Sequence, residues 1–417
     1  MLSIAEAQQR ILATVVAADT ERVELDEALD RVVAEAVHAP VAQPPWDNSA
    51  MDGYAVRAAD TAGARRDAPV RLPLAGMVAA GAVHEGEVPP GHAVGIATGA
   101  PMPAGADAVV VVEDTDGARH GEVALYEAAT PGKHVRRQGE AVEQGAVVAR
   151  RGDSVSPGRV ALLAAVGVGA VTVSVRPRVA ILGTGDEVVA PGLPLGPGQI
   201  YSSNTVALAA LVRRAGGVPV DHGTVGDDPS ALRSRLAAVL ADEPTVVLTT
   251  GGVSVGPYDF VREVFDDLGV SLDFWKVRMK PGKPLAFGRA GEVPLFGLPG
   301  NPVSCMVNFL QFVRPWIRAH LGDPHPHLPV VDATAGEGFS DRPGRARLLR
   351  VALRPSPEGW VAERTGLQSS GAVVSMALAH GLLLLGPEEE APTAGDRVRV
   401  QLIEPQGLGR ADAGHPW

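Results

Sequence analysis

The chain has 417 residues, a formal charge of −11, and 46% hydrophobic but only 4% aromatic residues. Aliphatic side chains must therefore build its cores, and the acidic balance excludes the basic footprint of a nucleic-acid-binding protein or a general attraction to membrane surfaces. A single cysteine, Cys305, excludes an intrachain disulfide framework and a multi-cysteine metal site, and no apolar run reaches the ~18 residues a membrane span needs.

The first residues, "MLSIAEAQQRILATVV", have no charged leader and carry polar residues through the apolar part. They read as an amphipathic helix rather than a signal peptide, which together with the cysteine usage points to a cytoplasmic protein. Helical apolar spacing predicts helices over residues 3–18 and 25–37. From about Pro40 to Asp153, short Val-rich runs broken by Gly, Pro and Asp predict an all-β region, and residues 156–169 return to helix. From Arg178, strands such as "VAILGTG", "VPVDHGTV" and "TVVLTTGG" alternate with helices such as "SSNTVALAALVRRAGG" and "DPSALRSRLAAVLAD". This predicts a mainly parallel sheet with helices on both faces, over roughly residues 178–322. "DPHPHLP" is a proline-punctuated linker, and the strand-like runs beyond it predict a small β domain.

In open α/β sheets, ligands bind beyond the carboxyl ends of the strands. That rule selects "GTGDEV" with Asp186 and Glu187, "GGVSVGPYD" ending at Asp259, and "LPGNPVS", where Asn301 and Pro302 suit a helix start. A helix start of this kind favours an anion, although ordinary turn chemistry uses the same residues. There is no Walker A pattern, and "GTGDEV" lacks the third glycine of a dinucleotide fingerprint. The histidines show no metal-binding spacing. Cys305, near a helix start, reads as a buried structural thiol.

"WKVRMKPGKPLAF", Trp275–Phe287, is the odd stretch. If extended, it places Lys276, Arg278 and Lys280 on one face and Val277 and Met279 on the other. Three alternating cations fit an edge strand protected by charge. "KPGKP" adds two lysines held across a fixed turn, an arrangement that costs energy unless an anion lies between them. Both readings stand at this level. "PPWDNSAMDGYAV" and "ATGAPMPAGADAVV" are likewise turns or ligand-contacting loops.

Taken in order, "WDNSAMDGYAV", "TGAPMPAGADAVV", "GTGDEV", "SSN", "TTGGVSVGPYDF", "KPGKPLAFG" and "LPGNPVS" resemble the motifs of the molybdopterin molybdotransferase family, which includes the gephyrin E domain. The resemblance covers about residues 1–405. It implies an elongated N-terminal helical domain (1–43 plus 141–176), an inserted β domain (44–140), a three-layer α/β molybdopterin-binding domain (177–324) and a C-terminal β-barrel (329–405). It further implies a homodimer whose clefts are shared between the α/β domain of one subunit and the β domain of the other.

The family reaction takes adenylylated molybdopterin and molybdate, inserts molybdenum with Mg²⁺, and releases molybdenum cofactor and AMP. By resemblance, Lys280, Lys283 and Pro284 match molybdate-site residues, and Arg350 and Ser375 look like further molybdate contacts. Lys276 and Lys280 match lysines important for activity. Asp52 and Thr98 match residues contributed across the dimer, Glu187, Asp228 and Asp259 match carboxylates of the cleft, and Pro299 and Pro302 fall in the matching turn. For Mg²⁺ the candidates are Asp228, Asp259 and Glu187, since Mg²⁺ takes one or two carboxylates plus waters and phosphates. Asp228 also reads as a helix cap. The family's Gly-Glu-Asp is here Gly139, Glu140 and Ala141, and Trp46 stands for the usual phenylalanine. The resemblance brings an upstream adenylyltransferase and downstream molybdoenzymes into view as partners. An adenylyltransferase-like enzyme and a non-catalytic dimeric scaffold are the competing readings.

Overall fold

The computed structural model describes residues 1–252 and 261–404. The chain divides into two compact units, Met1–Glu21 with Ser174–Trp417, and Arg22–Val173.

In the second unit, a five-stranded sheet runs in the order Ala108–Val111, Gly53–Val56, Ala93–Ile96, Arg65–Val78, Glu122–Glu127. Val56, Leu72, Ala93, Val110 and Leu125 form its core. A separate cluster of Val23, Ala28, Val33, Val148, Leu163 and Val173 holds the remainder. The helix at Pro157–Ala165 forms as its sequence dictates, with Ser156 accepting from the Arg159 N–H at 3.3 Å and a proline in the first turn.

The helix expected over 25–37 is absent, and turns and short bridges take its place. Ala28, Val32 and Val33 are buried, as helical spacing requires. Yet Asp30 sits at φ 61°, outside the helical region, and Val32 and Val33 bridge to Ser154 and Val173. An apolar spacing that fits a helix is served here by successive turns.

The first unit opens with the helix Ile4–Leu12, held by a reciprocal capping box between Ser3 and Glu6. Its main sheet has six strands in the order Val218–Val225, Arg178–Thr184, Val246–Thr250, Val293–Leu298, Pro284–Ala290, Ser271–Lys276. The first four are mutually parallel, and Pro284–Ala290 runs antiparallel to both neighbours. That reversal comes from the two-residue turn at Gly291 and Glu292, where Gly291 supplies φ 58°. Central strands are buried along their length, Val246–Thr250 at every position and Arg178–Thr184 at all but its first, which is why they read as apolar runs. Leu182, Leu236, Val247, Phe265 and Leu295 join sheet to helices. The helix Ser203–Ala215 stops at Gly216, φ 96°, as its sequence requires.

Beyond the linker, Ala346–Ser356, Gly359–Arg364, Val330–Ala335, Arg397–Leu402 and Gly381–Leu385 pair in a ring and close on Ala346–Ser356, making a five-stranded barrel. The basic stretch joins the two halves of this unit. Its strand ends at Lys276 on the edge of the main sheet, and Met279–Lys280 then pairs in parallel with Ala346 and Arg347 of the barrel. Val277 and Met279 are fully buried, as alternation predicts. The run of cations, however, is not one face of one strand, because the chain leaves one sheet for another in its middle.

Among the described residues, no helix is long and apolar enough to cross a membrane.

Candidate active site

The carboxyl edge of the main sheet carries a cleft of about 460 Å³. Three strand ends and two helix starts shape it. After Thr184, Gly185 turns at φ 131° and Glu187 enters the lining. A Cβ on Gly185 would lie 2.6 Å from the Glu187 carboxylate, so glycine is what lets that carboxylate fold back over the strand end. Asp186 is not in the lining, and its Oδ1 accepts from the Asp227 N–H at 3.1 Å. Asp227 lines the cleft.

Thr250 ends the next strand and forms the hub of the floor. Asn204 Nδ2 donates to the Thr250 hydroxyl and to the Gly300 carbonyl, each at 2.8 Å. Those bonds tie the start of helix Ser203–Ala215 to the "LPGNP" turn. Gly251 follows at φ 97°, where a Cβ would lie 2.4 Å from Thr184 Oγ1. Pro284, Pro299 and Pro302 line the same space, with Ser202, Ser203, Asn301 and Ser304.

The helix at Ser203 has no acidic residue in its first turn, so its N–H groups and dipole favour an anion. At the second helix start the picture is narrower than expected, because the Val303 N–H is taken by the Ser370 carbonyl of the barrel at 3.0 Å. Among the described residues, the lining holds no lysine or arginine, and its carboxylates are Glu187 and Asp227.

The cations come from the barrel side. Arg350 is 1% exposed. Its guanidinium donates to Ser375 Oγ at 3.1 Å and to the carbonyls of Leu367 and Ser369 at 3.3 and 3.0 Å. Gln368 clamps the Arg350 main chain from both sides. Among the described residues no carboxylate pairs with this guanidinium. Burial pulls its pKa down to about 10, which leaves it charged at neutral pH. Ser369 is next to Ser370, the residue bonded to the cleft helix, so the loop that cradles Arg350 also touches the cleft wall.

The structure thus brings Arg350 and Ser375 together, and gathers Glu187, Pro284, Pro299 and Pro302 in the cleft. Lys276, Lys280 and Lys283 are not part of the cleft lining. Lys276 ends the edge strand opposite Pro284, and Lys283 is exposed. Lys280 Nζ lies 2.9 Å from both oxygens of Asp341. Asp228 caps helix Pro229–Ala241, accepting from the Ser230 and Ala231 N–H groups at 3.3 and 3.0 Å. Its neighbour Asp227 is the one in the cleft. Asp259 lies outside the described residues.

In the other unit, Thr98 donates its N–H and its hydroxyl to Asp52 Oδ1 at 2.7 and 3.0 Å. Asp47 accepts from the Gln138 N–H at 2.7 Å and from Arg137 at 2.6 Å, which holds its carboxyl below the usual range. Glu140 accepts from the Arg137 N–H at 2.8 Å, and Ala141 is exposed with no carboxylate to offer.

Cys305 is fully buried beside Thr250, and burial pushes its thiol up to about 12. It is inert packing. Sequence reasoning assigned no ligand-binding role to Asn204, Asp227 or Asp341. "SSN" and the Asp-Asp pair were visible signals for the first two, whereas nothing local marks Asp341.

Three family models match the chain in succession: the MoeA N-terminal region (domain I and II) over residues 2–167, a "Probable molybdopterin binding domain" over residues 180–319, and the MoeA C-terminal region (domain IV) over residues 332–403. Molybdopterin molybdenumtransferase 2 of Mycobacterium tuberculosis is 40% identical over 405 residues, covering 96% of this chain and 99% of its own. Molybdopterin molybdenumtransferase of Bacillus subtilis is 36% identical over 421 residues, covering 100% of this chain and 96% of its own. The crystal structure of the molybdopterin biosynthesis MoeA protein from Pyrococcus horikoshii aligns with a TM-score of 0.81 at 30% identity, covering 96% of this chain and 100% of that one.

Proposed function

The chain belongs to the MoeA family, and from that premise we propose that it is a transferase of molybdenum cofactor biosynthesis. It inserts molybdenum from molybdate into adenylylated molybdopterin and releases molybdenum cofactor and AMP. The observation that carries the reading is Arg350: a charged, buried guanidinium with neutral oxygens around it and no carboxylate among the described residues. A buried charge left uncompensated is expensive unless a counter-ion arrives. A tetrahedral oxyanion supplies one, and Ser375 adds a hydroxyl at the same place.

Each group then has a task. The diphosphate of the adenylylated pterin lies at the helix start of Ser203–Ala215, where N–H groups stabilise an anion without needing a lysine. Asn204 holds the floor rigid, so the phosphate is placed rather than merely attracted. Arg350 and Ser375 receive molybdate, with Lys280 and Lys283 approaching from the "KPGKP" turn and Lys276 from the sheet edge. Asp52 and Thr98 act as a preformed pair contributed by the second subunit of a homodimer.

The donor set fits Mg²⁺: Glu187 and Asp227 both face the cleft, and this ion is satisfied by one or two carboxylates plus substrate oxygens and water. Asp228 lies outside the described lining, with both oxygens engaged in its cap, whereas Asp227 lines the cleft and is the candidate ligand by position. Glu187 and Asp227 would hold the ion there, and it would supply charge compensation to the substrate phosphates.

The experiment is incubation of the purified chain with adenylylated molybdopterin, Mg²⁺ and molybdate, with AMP measured over time. Molybdate-dependent AMP release supports the proposal. Adenylylation of molybdopterin by ATP, with no AMP from the adenylylated substrate, refutes it.

A further inference from the structure

Asp341 lies 61 residues beyond Lys280 in sequence, yet its carboxylate takes the Lys280 ammonium symmetrically, at 2.9 Å to each oxygen. The two partners are not equally fixed. Asp341 Oδ1 also accepts from the Arg342 N–H at 2.9 Å, and the Asp341 carbonyl accepts from buried Arg347 at 3.1 Å. Arg347 is itself the register partner of Lys280. The Asp341 side chain is 11% exposed and that of Lys280 41%. The lysine backbone is pinned as well. Gly282 turns at φ 95° with no room for a side chain, since a Cβ there would lie 2.9 Å from the Asn308 amide. The movable part is the Lys280 side chain, a charge on a flexible four-carbon stem.

The surroundings favour a second anion. Lys280 and Asp341 share a pocket of about 500 Å³ with Arg342 and Arg345, so the pocket remains cationic after the pair is counted. Four residues past Lys280, Pro284 lines the cleft, and the strap therefore runs from this pocket into the site.

We infer that Asp341 is the resident counter-ion of Lys280, a positioning residue that holds the ammonium in wait and that an incoming oxyanion must displace. The inference rests on the reading of Lys280 as a molybdate-binding lysine. A singly charged carboxylate held at fixed distance competes effectively with monoanions but yields to a dianion, whose attraction to the same ammonium is about twice as large at equal distance. Asp341 weakens oxyanion affinity and thereby sharpens the choice of a doubly charged one. It does not contact the reacting atoms.

The test is calorimetric titration of the full chain with sodium molybdate, repeated with sodium nitrate as a monoanion. Asp341→Asn keeps an oxygen for the Arg342 N–H and removes the charge, and the expected result is molybdate binding about fivefold tighter, the size of a half-exposed ion pair. Nitrate binding should strengthen by at least as much, and Asp341→Glu should return affinity to the wild-type value. Lys280→Ala should weaken molybdate about tenfold, and adding Asp341→Asn to it should change nothing further. A melting temperature within about 2 °C of wild type is expected for Asp341→Asn, since a single ion pair whose lysine is partly solvated contributes little to folding. Asp341→Ser, which also keeps an acceptor oxygen, serves if the amide variant fails to fold. If Lys280→Ala weakens molybdate while Asp341→Asn does not tighten it, the counter-ion role is overturned and the site reading survives. If Lys280→Ala has no effect, both fall.

Discussion

The sheet-edge cleft and the barrel wall beside it handle negative charge by opposite means. The cleft has helix N–H groups, hydroxyls and the carboxylates Glu187 and Asp227, with no lysine or arginine among the described residues of its lining. The barrel side brings Arg350, buried and without an acidic partner among the described residues, and Lys280, half exposed and paired with Asp341. Backbone dipoles can hold a phosphate while leaving room for a divalent ion between it and the carboxylates. Side-chain cations in the same space would neutralise those carboxylates instead. On the proposed reading, segregating the two charges lets one ligand be read as a phosphate and the other as a free oxyanion.

The hardest blow to that division is Arg350→Ala. It removes a fixed, buried cation of the barrel side and should lower molybdate-dependent AMP release by a factor of about 10² or more, in line with loss of a preorganised charge-stabilising donor. Arg350→Lys should recover little, because an ammonium cannot span Ser375 and both carbonyls as the guanidinium does. Stability falls too, by roughly 1–3 kcal/mol in the alanine variant, as the carbonyls of Leu367 and Ser369 lose their donor. Activity is therefore compared at a temperature where both proteins are folded. Equal AMP release by wild type and Arg350→Ala at low molybdate would mean the oxyanion binds elsewhere.

Next in size is Gly251→Ala, which strikes the cleft alone. The new methyl would sit at φ 97° and 2.4 Å from Thr184 Oγ1, costing about 2 kcal/mol or more in strain and displacement. Denaturant unfolding should show the loss. Because Gly251 and Asn204 both act through Thr250 and its neighbours, binding of the pterin substrate should suffer while molybdate binding at the barrel wall is spared. Equal loss of both ligands would show that the two regions are one mechanical piece.

How much of this was legible in the sequence depends on how local the cause is. The α/β region was readable strand by strand, because buried parallel strands leave unbroken apolar runs and Gly216 marks a helix end. Burial of Val277 and Met279 followed from alternation alone. The change of partner between Lys276 and Met279 did not, since it depends on where the strand starting at Ala346 lies. Asp341 was invisible for the same reason: its meaning comes from a residue far away in sequence. The false helix at 25–37 failed differently, for Ala28, Val32 and Val33 are buried as predicted but by turns around the left-handed Asp30. Periodicity reports which residues face inward, and more than one backbone can satisfy it.

A smaller effect sharpens the role of the cleft carboxylates. Glu187→Gln keeps the shape of the side chain folded over Gly185 and removes its charge, and should raise the Mg²⁺ concentration for half-maximal AMP release about tenfold, as expected for loss of one ligand or its close neighbour. Arg350→Lys should leave that Mg²⁺ requirement where it was. A Mg²⁺ curve unmoved by Glu187→Gln would place the ion outside this cleft.

The smallest expected effect decides between two adjacent aspartates. Asp228 spends both carboxylate oxygens on the first turn of its helix, and asparagine caps about as well as aspartate. Asp228→Asn should therefore leave stability within about 0.5 kcal/mol of wild type and change the Mg²⁺ requirement less than about twofold. Asp228→Ala should cost about 1 kcal/mol, with activity lost only in proportion to folding. Asp227→Asn, one residue earlier and in the cleft lining, should behave instead like Glu187→Gln. If Asp228→Asn folds normally and yet needs far more Mg²⁺, the cap must open when substrate binds and Asp228 takes over as ligand. The charge segregation would then be a property of the free protein alone.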